Sequence, residues 1–275
     1  MTIFLAGKKI KVQTLIHNKN EWMIDYKEFN KEGKYDFKII FKQYLDISFD
    51  RCPNLFEIQL SNFDLSNLYE LSYLFRSCHK LKKIEGINKS KTYKRVSMIE
   101  MFKGCNELEY LDLQNMDTSN VFNMRGLFKG CYKLKKIKGI NKFDTSEVLD
   151  MKEMFDNCEE LEKLDLSNFD TSKVILMDKM FDDCYNLNKI KLSDNFNTRK
   201  VVDMKELFEN CYELENLDLS KFVTSKVTNM DAMFYDCNKL KKINGIENFD
   251  TSQVNDMECM FYGCKELNLD LSRFL

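Results

Sequence analysis

The chain has 275 residues, of which 44% are hydrophobic and 31% are charged, and 42 Lys and Arg against 44 Asp and Glu leave a net charge of −2. This composition excludes a disordered chain. The balanced charge does not indicate the excess of basic residues with which proteins bind nucleic acid or an anionic membrane. No apolar run approaches the ~20 residues that cross a bilayer. Lys8 and Lys9 interrupt the segment where a signal peptide would stay apolar. We therefore expect no membrane insertion and, by default, a cytoplasmic location, with the cell surface as the alternative.

The first 48 residues lack the repeat that organises the rest of the chain. Runs typical of β-strands fall at residues 2–5, 9–16 and 35–41. We predict that residues 1–48 form a β-rich N-terminal cap over the first coil of the repeat region.

Residues 49–275 repeat with a fixed period. Cysteines follow one another at alternating intervals of 26 and 27 residues, at Cys52, Cys78, Cys105, Cys131, Cys158, Cys184, Cys211, Cys237 and Cys264. A fixed period of this length predicts a solenoid, in which no single repeat buries its core alone. We predict an α/β solenoid, a leucine-rich-repeat-like right-handed superhelix of about nine coils. It would carry a parallel sheet on one face and short helices on the other.

The first half of each repeat predicts a short helix. In one repeat the apolar positions form a stripe with helical spacing, namely Val148, Met151, Met154, Phe155 and Cys158. Asp-Thr-Ser triplets such as residues 144–146 precede the stripe and resemble helix caps. Gly, Asn, Asp or Ser precedes these cysteines from Cys78 on, and Gly, Asn and Asp tolerate the left-handed conformation that commonly ends a helix.

The second half of each repeat predicts a strand, as in residues 161–166, where apolar and charged residues alternate. Successive strands would pair in parallel. Repeats that read K-L-K-K-I alternate with repeats that read E-L-E-x-L, so opposite charges become lateral neighbours. The extra residue of each 27-residue interval follows the strand, which predicts a bulge at Gly86, Gly139 and Gly245. The last predicted strand spans Leu269–Leu271, and no C-terminal cap is evident.

From Cys52 to Leu275 the sequence resembles the BspA-like leucine-rich repeats, the bacterial surface protein 26-residue repeat family. The phrases that carry the resemblance are MFDNCEELEKLDLSNFDTSKV, from Met154 to Val174, and MFYDCNKLKKINGIENFDTSQV, from Met233 to Val254. The resemblance implies a leucine-rich-repeat fold and a surface protein that acts in adhesion or host contact.

The cysteine column allows three interpretations, which are disulfides, a metal site or packing. One thiol per coil forms a line, whereas zinc needs four converging ligands, and nine thiols in register cannot all pair. We interpret the column as buried reduced thiols, with the out-of-register Cys259 exposed. The pairs Asp112/Asp117 and Asp165/Asp170 could ligate calcium, but backbone capping and neighbouring lysines explain them.

No constellation of residues predicts catalysis. His17 and His79, the two histidines of the chain, lie in no motif, and no glycine-rich phosphate loop occurs. The Met and Phe stripes are assigned to the core. We therefore expect no enzymatic activity, cofactor, metal or nucleic-acid partner.

A mainly basic column of outward-facing strand residues is the remaining functional candidate. Its lysines either keep a sheet soluble or bind an acidic protein or glycan. The partner-binding residues that we predict are Lys83, Tyr110, Lys136, Lys138, Lys163, Asp165, Lys189 and Lys242. We expect a non-enzymatic protein-interaction or adhesion module with a protein partner. The alternative is a structural subunit that self-assembles by stacking through its C-terminal coil.

Overall fold

The computed structural model describes residues 2–5, 8–11, 21–23, 37–38, 46–60, 70–87 and 95–269. Fifteen strands occur in these residues: β1 (Thr2–Leu5), β2 (Lys8–Lys11), β3 (Glu21–Met23), β4 (Phe37–Lys38), β5 (Asp46–Ser48), β6 (Glu57–Gln59), β7 (Lys83–Glu85), β8 (Val96–Ser97), β9 (Tyr110–Asp112), β10 (Val121–Asn123), β11 (Lys136–Lys138), β12 (Lys163–Leu166), β13 (Lys189–Leu192), β14 (Asn216–Asp218) and β15 (Lys242–Asn244). Short 3-10 turns span Ile140–Lys142 and Ile246–Asn248.

The described parts of the N-terminal segment are short strands. Strand β1 pairs antiparallel with β2 and with β4, and β3 pairs in parallel with β5. The expected cap lies largely outside the described residues, so its placement over the first coil stays a prediction.

The repeat region is a parallel β-solenoid. One strand per repeat lies on a common face, in the order β6, β7, β9, β11, β12, β13, β14 and β15. A second parallel ladder starts with β8 and β10 and continues through single bridges from Asn123 to Asp256. The leucine-rich-repeat-like fold is therefore confirmed. The expected count of nine coils is not, since about seven coils separate β6 from β15 in the described residues.

The helices predicted for the second face are wrong. Residues 151–158 instead form tight turns, in which Met154 N–H donates to Met151 O over 3.2 Å and Cys158 N–H donates to Phe155 O over 3.0 Å. The intervening N–H groups reach the next coil, as from Glu153 to Asp178 O over 3.0 Å. An α-helix would use all of these donors within its own segment. Nearly every second donor instead ties one coil to the next.

Positive φ angles explain why these segments are turns. The residue before each cysteine of the column is left-handed, as predicted from Cys78 on; Asn157, for example, has φ 60°. A second left-handed residue lies four positions earlier, and Glu153 has φ 58° there. That position holds Tyr73, Glu100, Gly126, Glu153, Lys179, Glu206, Ala232 and Cys259. Glu, Lys and Ala are strong helix formers, so this second turn could not be predicted from the residue types at that position.

The apolar stripe predicted for the helix is nevertheless the core. Val148, Met151, Met154, Phe155 and Cys158 are all fully buried. One phenylalanine per coil stacks on the next, with ring centroids 5.2–5.8 Å apart from Phe49 to Phe261. A buried threonine hydroxyl in successive coils also donates to a carbonyl of the next coil over 2.9–3.0 Å, at Thr118, Thr145, Thr171, Thr198 and Thr224. The core is continuous along the stack.

The strand face alternates between paired and unpaired junctions. Strands pair as β6 with β7, β9 with β11, β12 with β13 and β14 with β15, and these pairs form separate sheets. Gly139 ends β11 with φ 88°, and a Cβ there would lie 2.3 Å from the Cα of Gln114 in the preceding coil. Each repeat with the extra residue thus presses against the coil before it. No bulge occurs at these glycines, since the strand pairs that they follow keep an unbroken register. Gly86, Gly139 and Gly245 instead form sharp left-handed turns, which take up the extra residue.

Ala232 distinguishes the turn from a helix. It has φ 52°, and a left-handed L-residue costs roughly 1–2 kcal/mol. We predict that Ala232→Gly leaves the free energy of unfolding unchanged or raises it by up to about 1 kcal/mol, because glycine carries no such cost. In a helix the same change would lower it by about 1 kcal/mol. Chemical denaturation measures the difference. Ala232→Val, which adds a β-branched side chain, should destabilise the protein.

Candidate functional site

The predicted partner-binding residues lie on the strand face. Tyr110 and Lys136 are register partners in β9 and β11, and Lys163 and Lys189 are register partners in β12 and β13. Paired strands lie about 4.8 Å apart. The outward side chains therefore form one column along the solenoid, with Tyr110 46% exposed.

Charges that flank this column are neutralised within the protein. Lys133 lies 2.8 Å from Glu107, Lys138 lies 3.1 Å from Asp112, and hydrogen bonding to Asp112 raises the pKa of Lys138. Other lateral pairs join Lys135 to Glu109 and Glu160, Lys191 to Asp165, Lys239 to Glu213 and Lys241 to Glu215. This confirms the lateral pairing expected from the alternating repeats. Lys83 also pairs with Glu85 in its own strand.

Three lysines on consecutive coils of the column differ from the lysines that flank the column, and Lys242, two coils further along, likewise takes part in no described ion pair. Lys136, Lys163 and Lys189 are exposed and take part in no ion pair among the described residues. Lys163 and Lys189 are aligned in register, although like charges directly opposite each other destabilise a sheet. We call these three residues the lysine column.

A cleft lies between β11 and β12, with a cavity volume of about 480 Å³. Lys136 and Lys138 line one wall, and Lys163 and Asp165 line the other. Asp165 accepts a hydrogen bond from Ser167 N–H over 3.1 Å, and bonding to Ser167 lowers the pKa of Asp165. The structure thus brings four of the predicted residues together at one opening.

The sequence did not predict the cleft or the rest of its lining. Further lining residues include Lys135, Ile140, Asn141 and Glu162. The 27-residue interval between Cys131 and Cys158 could have indicated the cleft, because its extra residue follows β11 and lies beside this opening. The remaining predicted residues, Lys83, Tyr110, Lys189 and Lys242, lie outside it along the same face.

The cysteine column packs as expected. From Cys52 to Cys237 the thiols are free and buried, and Cys259 is exposed. From Cys78 on, each thiol of the column donates to a phenylalanine carbonyl, as Cys158 does to Phe128 O over 3.3 Å. Burial raises the pKa of Cys131 to about 12, so its thiol stays protonated. These hydrogen bonds connect successive coils, and the thiols from Cys52 to Cys237 are closed to solvent.

The aspartates considered as calcium ligands cap turns instead. Asp117 accepts from Ser119 N–H over 3.1 Å, and Asp170 accepts from Ser172 N–H over 2.9 Å. Asp112 accepts from Gln114 N–H over 3.0 Å. Local capping, as expected, accounts for their positions.

An acidic cluster that the sequence did not predict lies on the turn face. Ligand atoms of Asp156, Asp182 and Asp183 lie within 4.8 Å of one another, and Asp182 forms a second such group with Glu206 and Glu209. Carboxylate oxygens of this kind suit a hard cation. Lysines already supply positive charge here, since Lys129 lies 2.6 Å from Asp156 and Lys179 lies 3.4 Å from Asp182. The signal in the sequence was the acid one or two positions before Cys158, Cys184 and Cys211.

Stacked coils with one short parallel strand each define a leucine-rich-repeat-like solenoid. Residues 43–139, 96–193 and 189–275 match the family described as "Mycoplasma protein of unknown function, DUF285". Since these matches cover more than half of the chain, it belongs to that family. The family match and the 26/27-residue coils confirm the resemblance to BspA-like repeats.

Two solved structures are similar to this chain. One is a leucine-rich repeat protein from Bacteroides ovatus ATCC 8483, with 16% identity, coverage of 85% of this chain and 76% of that chain, and a TM-score of 0.37. The other is a leucine-rich cell surface protein from Faecalibacterium prausnitzii A2-165, with 15% identity, coverage of 94% and 85%, and a TM-score of 0.34. No curated protein matches the chain. None of the described segments is a helix long and apolar enough to span a bilayer.

Asp182 should make stability depend on pH. Burial raises its pKa to about 7, and the carboxylate of Asp183 adds to the rise. Because the folded protein keeps this proton to a higher pH than the unfolded chain, the contribution of Asp182 to stability falls as pH rises from about 4 to about 7. We predict that Asp182→Asn raises the melting temperature at pH 8, because it removes the free-energy cost of burying the Asp182 carboxylate. The expected rise is roughly 2–4 °C for each kcal/mol of that cost. At pH 5 the gain should be small.

The control for this prediction is Asp194→Asn, because the Asp194 side chain is fully exposed. Melting curves from pH 4 to pH 8 compare the two variants with the natural protein. An equal gain at both ends of this range would show that the carboxylate charge of Asp182 is not the cause.

Proposed function

We propose that this protein is a non-enzymatic binding module that binds an acidic partner along the lysine column. The partner that we propose is a protein. The observation that supports the proposal is a contrast in pairing. Lys136, Lys163 and Lys189 lie on three consecutive coils and have no described ion-pair partner, whereas flanking lysines such as Lys138 and Lys191 are neutralised. Two unit charges about 5 Å apart repel by about 0.8 kcal/mol in water. A partner with carboxylates along this face would relieve that repulsion.

The binding contributed by the lysine column is modest. An exposed ion pair contributes about 0.2–1 kcal/mol. Three contacts therefore give on the order of 1–3 kcal/mol, which weakens with salt because the charges are exposed. The column suits recognition and orientation of a partner more than tight binding. Such binding would serve a scaffold if the protein is cytoplasmic, which is the location expected by default. At the cell surface it would serve an adhesin.

Neutralising the lysine column should weaken binding. Fluorescence anisotropy with labelled poly-L-glutamate at low salt measures the affinity. We predict that the triple variant K136Q/K163Q/K189Q binds this probe about tenfold or more weakly, which corresponds to about 1.4 kcal/mol.

The matched control removes the same amount of charge from lysines that already form ion pairs, through K173Q/K239Q/K241Q. This variant should stay within about twofold of the natural protein, because its lysines are occupied. Equal losses in both triple variants would mean that net charge, and not the lysine column, determines binding. Melting curves check that both variants are folded.

A structural assembly subunit is the second candidate. The apolar stripe of the last described coil is only partly buried, at Val254, Met257, Phe261, Cys264 and Leu267. The corresponding residues of the interior coils, such as Val148 and Met151, are fully buried. A second copy stacked on this coil would bury the stripe and extend the hydrogen-bonding pattern.

Light scattering over a concentration series tests this second candidate. Self-assembly predicts a mass that rises with concentration, and Met257→Lys should abolish the rise by placing a charge in the stacked face. A monomer at every concentration would exclude stacking between copies. That result would not bear on the proposal that the lysine column binds a partner.

A further inference from the structure

Two neighbouring coils are held tightly together on the turn face and separate on the strand face. The rings of Phe128 and Phe155 lie 5.5 Å apart, and Phe128 N–H donates to Met154 O over 2.9 Å. On the strand face, β11 pairs with β9 and β12 pairs with β13, and no described pairing joins β11 to β12. The two coils therefore diverge at the strands, where side-chain contacts such as that from Asn141 Nδ2 to Asp165 Oδ2 over 3.4 Å take the place of strand pairing.

The covalent chain fixes this divergence. Gly139 ends β11 against Gln114 of the coil before it, so that β11 is held away from β12. The 3-10 turn Ile140–Lys142 follows at once and takes up the extra residue of the interval. The cleft is thus formed before any ligand arrives, and binding there needs little rearrangement.

The lining of the cleft has an apolar part and a charged rim, in which four lysines outnumber the carboxylates of Glu162 and Asp165. Ile137, Ile140 and Leu164 are core residues that lie at its floor. Lys136 and Lys163, two members of the lysine column, lie at its two sides. A few hundred Å³ is in the range of sites for small groups. An apolar side chain fits the floor, and anionic neighbours of that side chain fit the rim.

We propose that the partner binds as an extended acidic peptide segment that places one apolar side chain in the cleft between β11 and β12. This inference rests on the proposed function and names the class of partner. Carboxylates next to the apolar residue contact Lys136 and Lys163, and a further carboxylate contacts Lys189. The apolar anchor supplies the affinity that three exposed ion pairs lack.

The apolar floor favours a peptide over an acidic glycan. A glycan carries carboxylates or sulfates that would suit the lysine column, but its hydroxyl groups would lose water at Ile137, Ile140 and Leu164 without a partner there. A peptide offers both chemistries in adjacent residues. The recognition therefore needs the cleft and the lysine column together.

Three labelled probes test the inference by fluorescence anisotropy: a peptide of four glutamates around a central phenylalanine, the same peptide with central serine, and an oligogalacturonate. We expect the phenylalanine peptide to bind the natural protein at least tenfold more tightly than either other probe. Asn141→Phe, which fills the cleft from its edge, should remove that advantage. Asn248→Phe lies in the corresponding 3-10 turn of a later coil and should keep it.

The outcomes separate this inference from the proposed function. If the serine peptide binds as tightly as the phenylalanine peptide, and K136Q/K163Q/K189Q weakens both, the cleft inference fails and the lysine column stands. If the oligogalacturonate binds more tightly than both peptides, a glycan is the partner and the inference fails. If no acidic probe binds at low salt, both proposals fail. Should Asn141→Phe not fold, the contrast between the two peptides in the natural protein still decides.

Discussion

Hydrogen bonds between the backbones of successive coils are the constraint on which this structure depends. On the turn face, N–H groups such as those of Glu153 and Asn157 donate to carbonyls of the next coil at 3.0 and 2.8 Å. Buried amides must find partners, so a coil cannot shift along its neighbour without losing several bonds together. The register of the phenylalanine stack and of the cysteine column follows from this backbone pattern.

The same register produces the surface that we interpret as functional. Because intervals of 26 and 27 residues alternate, strands meet in pairs, and every second junction on the strand face lacks strand pairing. The acidic and basic repeats alternate with the same period, so Lys138 meets Asp112 and Lys133 meets Glu107 within a pair. Lys163 and Lys189 meet each other within the pair of β12 and β13. The period determines which strands pair, and the residue type at each strand position determines which charges are neutralised and which remain.

The sequence predicted the solenoid, the strands and the inward residues, because these depend only on period and on the alternation of apolar residues. It failed for the turn face, because a stripe with the spacing of Val148, Met151, Met154 and Phe155 fits a helix and a pair of tight turns equally well. The deciding fact is the left-handed backbone at Glu153, where neighbouring coils override the helix propensity of the residue. Single-chain propensity does not contain that information.

The candidate site divides in the same way. Strand alternation places Lys136, Lys163 and Lys189 outward and in one column, so these residues could be predicted from sequence. The cleft could not, since it depends on how the turn after Gly139 presses against Gln114 of another coil. A rigid stack holds the lysines at a fixed spacing and the cleft at a fixed width. Recognition by such a surface costs little ordering of the protein itself, so even weak individual contacts with Lys136 or Lys163 can contribute to binding.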